Sequence, residues 1–328
     1  MGFWDFWKAE AKDYVHGWLE PAQAPGVALS PINADTSYVS VKLKKMRVVN
    51  VRVGFKRFYG AVHADVGLWH AAGRKINFKQ LIAPPDLQDV SSGSLDRTVV
   101  VDREIFGPAP YRGGALDLNL TLLAVRSADF AGPFLDVLTG LASAAGVSYV
   151  KMAEPFLKPL SDGIDLLSGT KDATGREIAL VTSLSPPRAG VYVVARATKG
   201  ELDLSTVRLA PDFTLYQKNA PVSQYPYLVV SIEGSPERID FMGIPEVKAA
   251  YDAVKKAVTD DNPQGYQETL TVFRRVVLLC DDLLTPHARK LFEDVKKKMD
   301  DIMGAPKTAS ASMRVQVPEL ASFRPFED

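Results

Sequence analysis

Apolar positions along residues 1–18 recur at helical spacing. At 3.6 residues per turn, Phe3, Trp4, Trp7, Ala11, Tyr14, Val15 and Trp18 fall within an arc of roughly 120°. Asp5, Lys8, Lys12, Asp13 and His16 lie outside that arc. The pattern predicts an amphipathic aromatic helix over residues 1–19. Residues 20–35 carry Pro21, Pro25 and Pro31, whose fixed φ and missing donor predict an extended linker that separates the helix from the remainder of the chain.

From Thr36 the period switches to two. Val39, Val41 and Leu43 alternate with Ser40, Lys42 and Lys44, and Val49, Val51 and Val53 repeat the pattern with Asn50 and Arg52 between. The interruption of the alternation between these two sets predicts a bulge or a break into two strands. Further strands are expected over residues 58–69, 98–106, 115–122, 177–184, 190–195, 205–216 and 227–233. The clearest is the third of these, where Leu116, Leu118, Leu120 and Leu122 face one way and Asp117, Asn119 and Thr121 the other. Between them, residues 129–168 return to a helical period: Phe130, Phe134, Leu138 and Leu141 share one face, and Phe156, Leu160, Ile164 and Leu167 another, the second opened by Pro155.

The last third reads as helices over residues 245–258, 264–284 and 286–303, with Thr285 as an N-cap before Pro286 and Gly304 as a stop. Residues 305–328 read as an extended tail. Short strands separated by Gly- and Pro-rich turns favour antiparallel sheets over a crossover-connected parallel one. The expected fold is therefore α+β: an antiparallel β-sandwich over residues 36–235 with an inserted helical pair, an N-terminal amphipathic helix, and a C-terminal helical bundle over residues 244–304.

Composition narrows the function classes. In 328 residues, hydrophobic types make up 46% and charged types 24%, which is ordinary for a folded chain with a sizeable core. Lys plus Arg equals Asp plus Glu at 39 each, so no overall field draws the molecule onto nucleic acid. The single cysteine, Cys280, rules out an internal disulfide and reads as a core position in a reducing compartment. No apolar run reaches membrane-spanning length, and Asp5, Glu10 and Asp13 interrupt what would be the core of a secretory signal. A cytoplasmic setting, with membrane association open, is the expectation.

No motif carries catalysis. There is no Gly-x-Ser-x-Gly elbow, and Ser168-Gly169-Thr170-Lys171 lacks the order of a phosphate loop. His63 and Asp65 project from one strand face, a fragment of a metal site that lacks the further ligands a metal needs. Neither a metal nor a cofactor is expected. The charge pattern says more: Lys42, Lys44, Lys45, Arg47, Arg52, Lys56 and Arg57 occur between residues 36 and 64 with no acidic residue among them. Such a run protects a sheet face or edge against aggregation, or it meets an acidic partner, an anionic lipid or a nucleic-acid backbone. Nucleic acid fits least, because no stacking aromatics are interleaved in residues 42–52.

Three of the four tryptophans lie in the first eighteen residues, and so much aromatic surface needs a cover. Phe3, Trp4, Trp7, Tyr14 and Trp18 are the candidate binding residues, facing this protein's own body, a second copy, another protein or a lipid interface. The opening Met1-Gly-Phe-Trp-Asp-Phe-Trp-Lys-Ala-Glu10, closing on Trp18, is similar to the starts of some bacterial SPFH (band-7-like) proteins. The similarity covers about eighteen residues, and it implies association with a membrane. The sandwich pattern resembles a C2-type domain, without that family's calcium-binding aspartate loops. The resulting expectation is a non-enzymatic interaction or assembly protein of the bacterial cytoplasm that docks through its N-terminal aromatic helix. The alternatives are a peripheral membrane protein using Trp4, Trp7, Trp18 and the basic strand, and a hydrolase or transferase with dispersed catalytic residues.

Overall fold

The structure, a computed structural model, describes residues 14–24, 27, 29–49, 52–53, 56–69, 75–82, 98–126, 174–304 and 317–326. Phe3, Trp4 and Trp7, and the helical pair expected over residues 129–168, lie outside them. Within the described residues the arrangement is α+β, antiparallel sheets with a helical part, as the periodicity predicts.

In chain order the strands are β1 (Val15–Trp18), β2 (Ser30–Pro31), β3 (Tyr38–Arg47), β4 (Arg52–Val53), β5 (Lys56–Trp69), β6 (Lys75–Ile82), β7 (Thr98–Pro110), β8 (Leu116–Arg126), β9 (Thr174–Leu184), β10 (Arg188–Ala195), β11 (Val207–Leu209), β12 (Leu215–Gln217), β13 (Ala220–Pro221) and β14 (Tyr227–Ser235). A first sheet runs β1-β10-β14-β3-β7, with β2 also on β10. A second runs β4-β5-β8-β9, with β6 also on β5, and β11–β13 form a small third. The alternating leucines of β8 have their reason here. Leu116, Leu118, Leu120 and Leu122 meet Val62, Ala64, Val66 and Leu68 of β5 and the inner residues of β3 and β14 in one core between the two large sheets.

β10 and β14 read as unbroken apolar runs because both their faces are buried. Tyr192, Val194, Leu228 and Val230 point into the inter-sheet core. Val191, Val193, Tyr227 and Val229 point into a second core beneath β11–β13. The interruption is a bulge in β3: pairing with β14 slips between Val229 and Val230, after which Met46 and Val48 take over the inward positions.

Several sequence expectations need correction. The first is the helix over residues 1–19, because its end, Val15–Trp18, is a strand paired with β10 from Val15↔Ala195 to Trp18↔Tyr192. In that conformation both faces bury apolar surface: Val15 and Leu19 enter the core under β11–β13, while Tyr14 and Trp18 pack on the sandwich. The linker is docked rather than free. Residues 20–24 turn back through Ala24 N–H to the Glu20 carbonyl, and the Gln23 amide donates to the carbonyls of Leu204 and Val207 at 2.6 and 2.7 Å. The single strand expected over residues 205–216 is β11 and β12 joined by a tight turn at Phe213, whose φ is 63°.

Among the described residues three α-helices complete the order: α1 (Pro245–Thr259), α2 (Pro263–Leu278) and α3 (Thr285–Gly304). Their apolar stripes interlock as Val247, Tyr251 and Val254 against Tyr266, Phe273 and Val277 and against Leu291, Val295 and Met299. Asn262 caps α2 by accepting the Gly265 N–H at 2.9 Å. The expected tail returns onto this bundle, with Val317, Leu320 and Phe323 buried in its core. The bundle joins the sandwich at the start of β3, where the Tyr38 hydroxyl accepts the Leu284 N–H at 3.0 Å and its ring stacks on His287.

Candidate functional site

Among the described residues β1 is an edge strand, and its Trp18 packs against the core of the sandwich on that side. The Trp18 ring meets the Tyr192 ring edge-on at 5.2 Å, and the Arg188 guanidinium lies 5.0 Å over the Trp18 ring. The Tyr192 hydroxyl is hydrogen-bonded to His16 Nδ1 at 2.6 Å. Burial pushes Tyr192 above its ordinary range, against a Thr182 hydroxyl that pulls it down, and desolvation holds His16 below its own. A glycine makes the room: a Cβ on Gly190, whose φ is +151°, would stand 2.3 Å from Leu29 and 3.3 Å from the Trp18 ring. Of the candidate aromatic residues, Tyr14 and Trp18 are thus packed on this protein's own body.

The basic run resolves into internal ties. Lys42 pairs with Glu233 at 2.6 Å, and Lys44 with Asp102 at 2.6 Å while standing over the Phe213 ring. Lys45, only 3% exposed, donates to the Asp212 carboxylate, the Asp212 carbonyl and the Thr214 hydroxyl at 2.9, 2.9 and 2.6 Å. Arg47 donates to the Ser223 carbonyl at 2.8 Å. These four side chains stitch β3 to β14, to β7 and to the turns around β12. They do not form an open positive face. Arg52, Lys56 and Arg57 have their backbones in β4 and β5, and their side chains lie outside the described residues. The sequence shows the cations but not their partners, which come from as far as residue 233.

The outer face of the second sheet holds an unusual polar set. His63, Asp65, Thr121 and Glu177 are 2%, 7%, 1% and 4% exposed. His63 lies directly across from Thr121, and Asp65 from Asn119, while Glu177 falls where the pairing of β8 with β9 slips. His63 and Asp65 share a strand face, as the alternation predicts. Among the described residues, no group of three His, Cys, Asp or Glu side chains is placed to hold a metal ion.

A feature that sequence reasoning missed lies between α3 and the returning tail, an open groove of about 500 Å³. Lys290, Asp294, Lys297, Lys298 and Asp301 form one wall at helical spacing, Ser322 and Arg324 stand on the tail side, and Pro318 and Phe323 supply its apolar surface. The signal was present, since positions 290, 294, 297, 298 and 301 share a face of α3. The facing wall comes from a segment with no period of its own.

No family model, characterised protein or solved structure matches the chain. The similarity of the first residues to SPFH proteins and the analogy to C2-type domains gain no support from these comparisons. Among the described residues, no helix is long and apolar enough to cross a membrane.

Proposed function

We propose that this protein is a non-enzymatic interaction or assembly protein whose N-terminal aromatic segment docks onto a second copy of the chain or onto a protein partner. The supporting observation is the place of β1. Among the described residues it is the edge of the first sheet, its Trp18 and the adjoining Tyr14 pack on the sandwich, and the sequence before it carries Phe3, Trp4 and Trp7. Aromatic anchors next to a sheet edge suit association, because rings bury much area for few frozen torsions and an edge accepts added strands. The competing reading, attachment to an anionic lipid surface, keeps the tryptophans but loses part of its electrostatics. Lys42, Lys44, Lys45 and Arg47 are engaged within the protein.

The test compares the full chain with a chain lacking residues 1–13, which keeps Tyr14 and Trp18 in place. Light scattering after size exclusion reads the mass against 35.8 kDa for one chain. The full chain is expected to run above that mass, or to retain a partner from its host, and the shortened one to run as a monomer without that partner. Identical mass and identical partners for the two would overturn the proposal. Co-sedimentation with neutral and anionic vesicles decides the lipid alternative.

A further inference from the structure

We infer that the groove between α3 and the segment 317–326 is a second docking surface, and that its occupant is an extended acidic peptide of a partner protein carrying apolar side chains among its carboxylates. The inference is separate from the N-terminal aromatic segment and stands or falls without it.

Charge is the first argument. Four cations line the groove, Lys290, Lys297, Lys298 and Arg324, against two carboxylates, Asp294 and Asp301, in a chain whose total charge is zero. The second argument is how these charges are used. On the same helix Lys296 closes an i,i+4 ion pair with Asp300, and on α1 Lys248 does so with Asp252. Lys290 and Asp294, and Lys297 and Asp301, have the same spacing, yet these pairs are not closed and the side chains of Lys290, Lys297 and Lys298 make no hydrogen bond among the described residues. Their charge faces the groove and is available to a ligand.

Shape supplies the third argument. From residue 290 to 301 a helix rises by about 16 Å, the span of roughly five residues of extended chain. A lone phosphate would fill little of that length. Phe323 is anchored in the helical core and, with Pro318, gives the groove an apolar surface between charged walls, which suits alternate side chains of an extended peptide. The tail side is fixed in position: the Tyr251 hydroxyl donates to the Pro318 carbonyl at 2.5 Å, and Lys255 of α1 pairs with Glu319.

The test is fluorescence anisotropy of the full chain with a labelled peptide, Glu-Glu-Leu-Glu-Phe-Glu-Glu. Saturable binding is expected, weakening about tenfold between roughly 50 and 300 mM salt as exposed ion pairs are screened. The double variant Lys297→Glu, Lys298→Glu exchanges two attractions for two repulsions and should weaken binding about tenfold or more. Lys199→Glu, on an exposed loop of the sandwich, should leave it within about twofold. Removing residues 1–13 should leave it unchanged, so failure here and failure of the assembly role are distinguishable. Circular dichroism checks that the variants fold. The inference is overturned by absence of saturable binding, by equal binding to the double variant, or by equal affinity for a peptide with Ser in place of Leu and Phe. It is overturned equally if anionic vesicles bind with the same dependence on Lys297 and Lys298 and the peptide does not.

Discussion

Arg238 donates from one nitrogen, Nη1, to both the backbone carbonyl and the carboxylate of Asp282, at 2.9 and 3.1 Å, and neither residue is more than 1% exposed. Its Nε reaches Asp240 at 2.8 Å. The guanidinium leaves the end of β14 and enters the turn between α2 and α3, joining the sandwich to the helical bundle. A buried pair of this kind adds little net stability when intact, but losing one member strands a charge. Arg238→Met or Asp282→Leu alone should therefore lower the unfolding free energy by about 3–5 kcal/mol. Replacing both by apolar residues, Arg238→Met with Asp282→Leu, should cost well under the sum. Urea titration of the four proteins as a double-mutant cycle measures the coupling, and additive losses would refute it.

Lys45 and Asp212 set an acid limit on the β3 side of the sandwich. The Lys45 ammonium and the Thr214 hydroxyl hold the Asp212 carboxyl down at about 2, from an ordinary value of 3.8. A group depressed in the folded state stabilises above its unfolded value and loses that contribution as pH falls through the folded one. The contribution is complete above about pH 4 and drains away toward pH 2. Thermal melts from about pH 5 downward should show a shallower acid loss for Asp212→Asn than for the parent. Because Asp212 is 61% exposed on its side chain, the difference is expected to be modest and to shrink in salt.

Cys280 should be chemically silent in the folded protein. It is 5% exposed, and burial pushes its thiol up to about 12, so the reactive thiolate is scarce at neutral pH. A thiol reagent at about pH 8 should leave the native chain unlabelled and take up one equivalent in denaturant. Rapid native labelling would contradict the packing of the α2–α3 turn.

Two glycines separate backbone need from mere tolerance. At Gly107, in β7, φ is +94° and a Cβ would stand 2.3 Å from the Val39 carbonyl oxygen across the strand pair. Gly107→Ala should cost about 2–4 kcal/mol, through strain and a displaced ladder. Gly304, the last residue of α3, has nothing within 4 Å of such an atom, and Gly304→Ala should stay within about 0.5 kcal/mol. Calorimetric midpoints of the two variants provide the comparison.

Much of this fold is legible in the sequence because several of its elements meet chemically different surroundings on their two sides. The leucines of β8 enter the core while Asp117 and Asn119 between them stay half-buried, the stripes of α1 and α3 bury one face, and such contrast writes its period into the chain. β1 reads as a helix because Tyr14–Leu19 buries both faces, so the same residues satisfy a helical arc and a strand. β6 escapes notice although Ile76, Phe78 and Ile82 alternate with Lys75, Asn77 and Lys79, since Gln80 and Leu81 invert the pattern near its end. α2 stops at Leu278, not at residue 284, because the turn after it places Asp282 against Arg238, 44 residues away. The basic run reads as a surface for a related reason: Asp102, Asp212, Ser223 and Glu233 reach it only through the tertiary fold.

The apolar faces of β10 and β14 have a dynamic consequence. Opening either strand to water wets two cores at once, so among the described residues their central amides, Val191–Val194 and Leu228–Val230, should exchange slowest. β1 hangs on that unit by one partner strand and opens at lower cost. Of the strands described, β1, which follows the tryptophan-rich opening of the sequence, thus gives way more readily than the β10–β14 pair against which it lies.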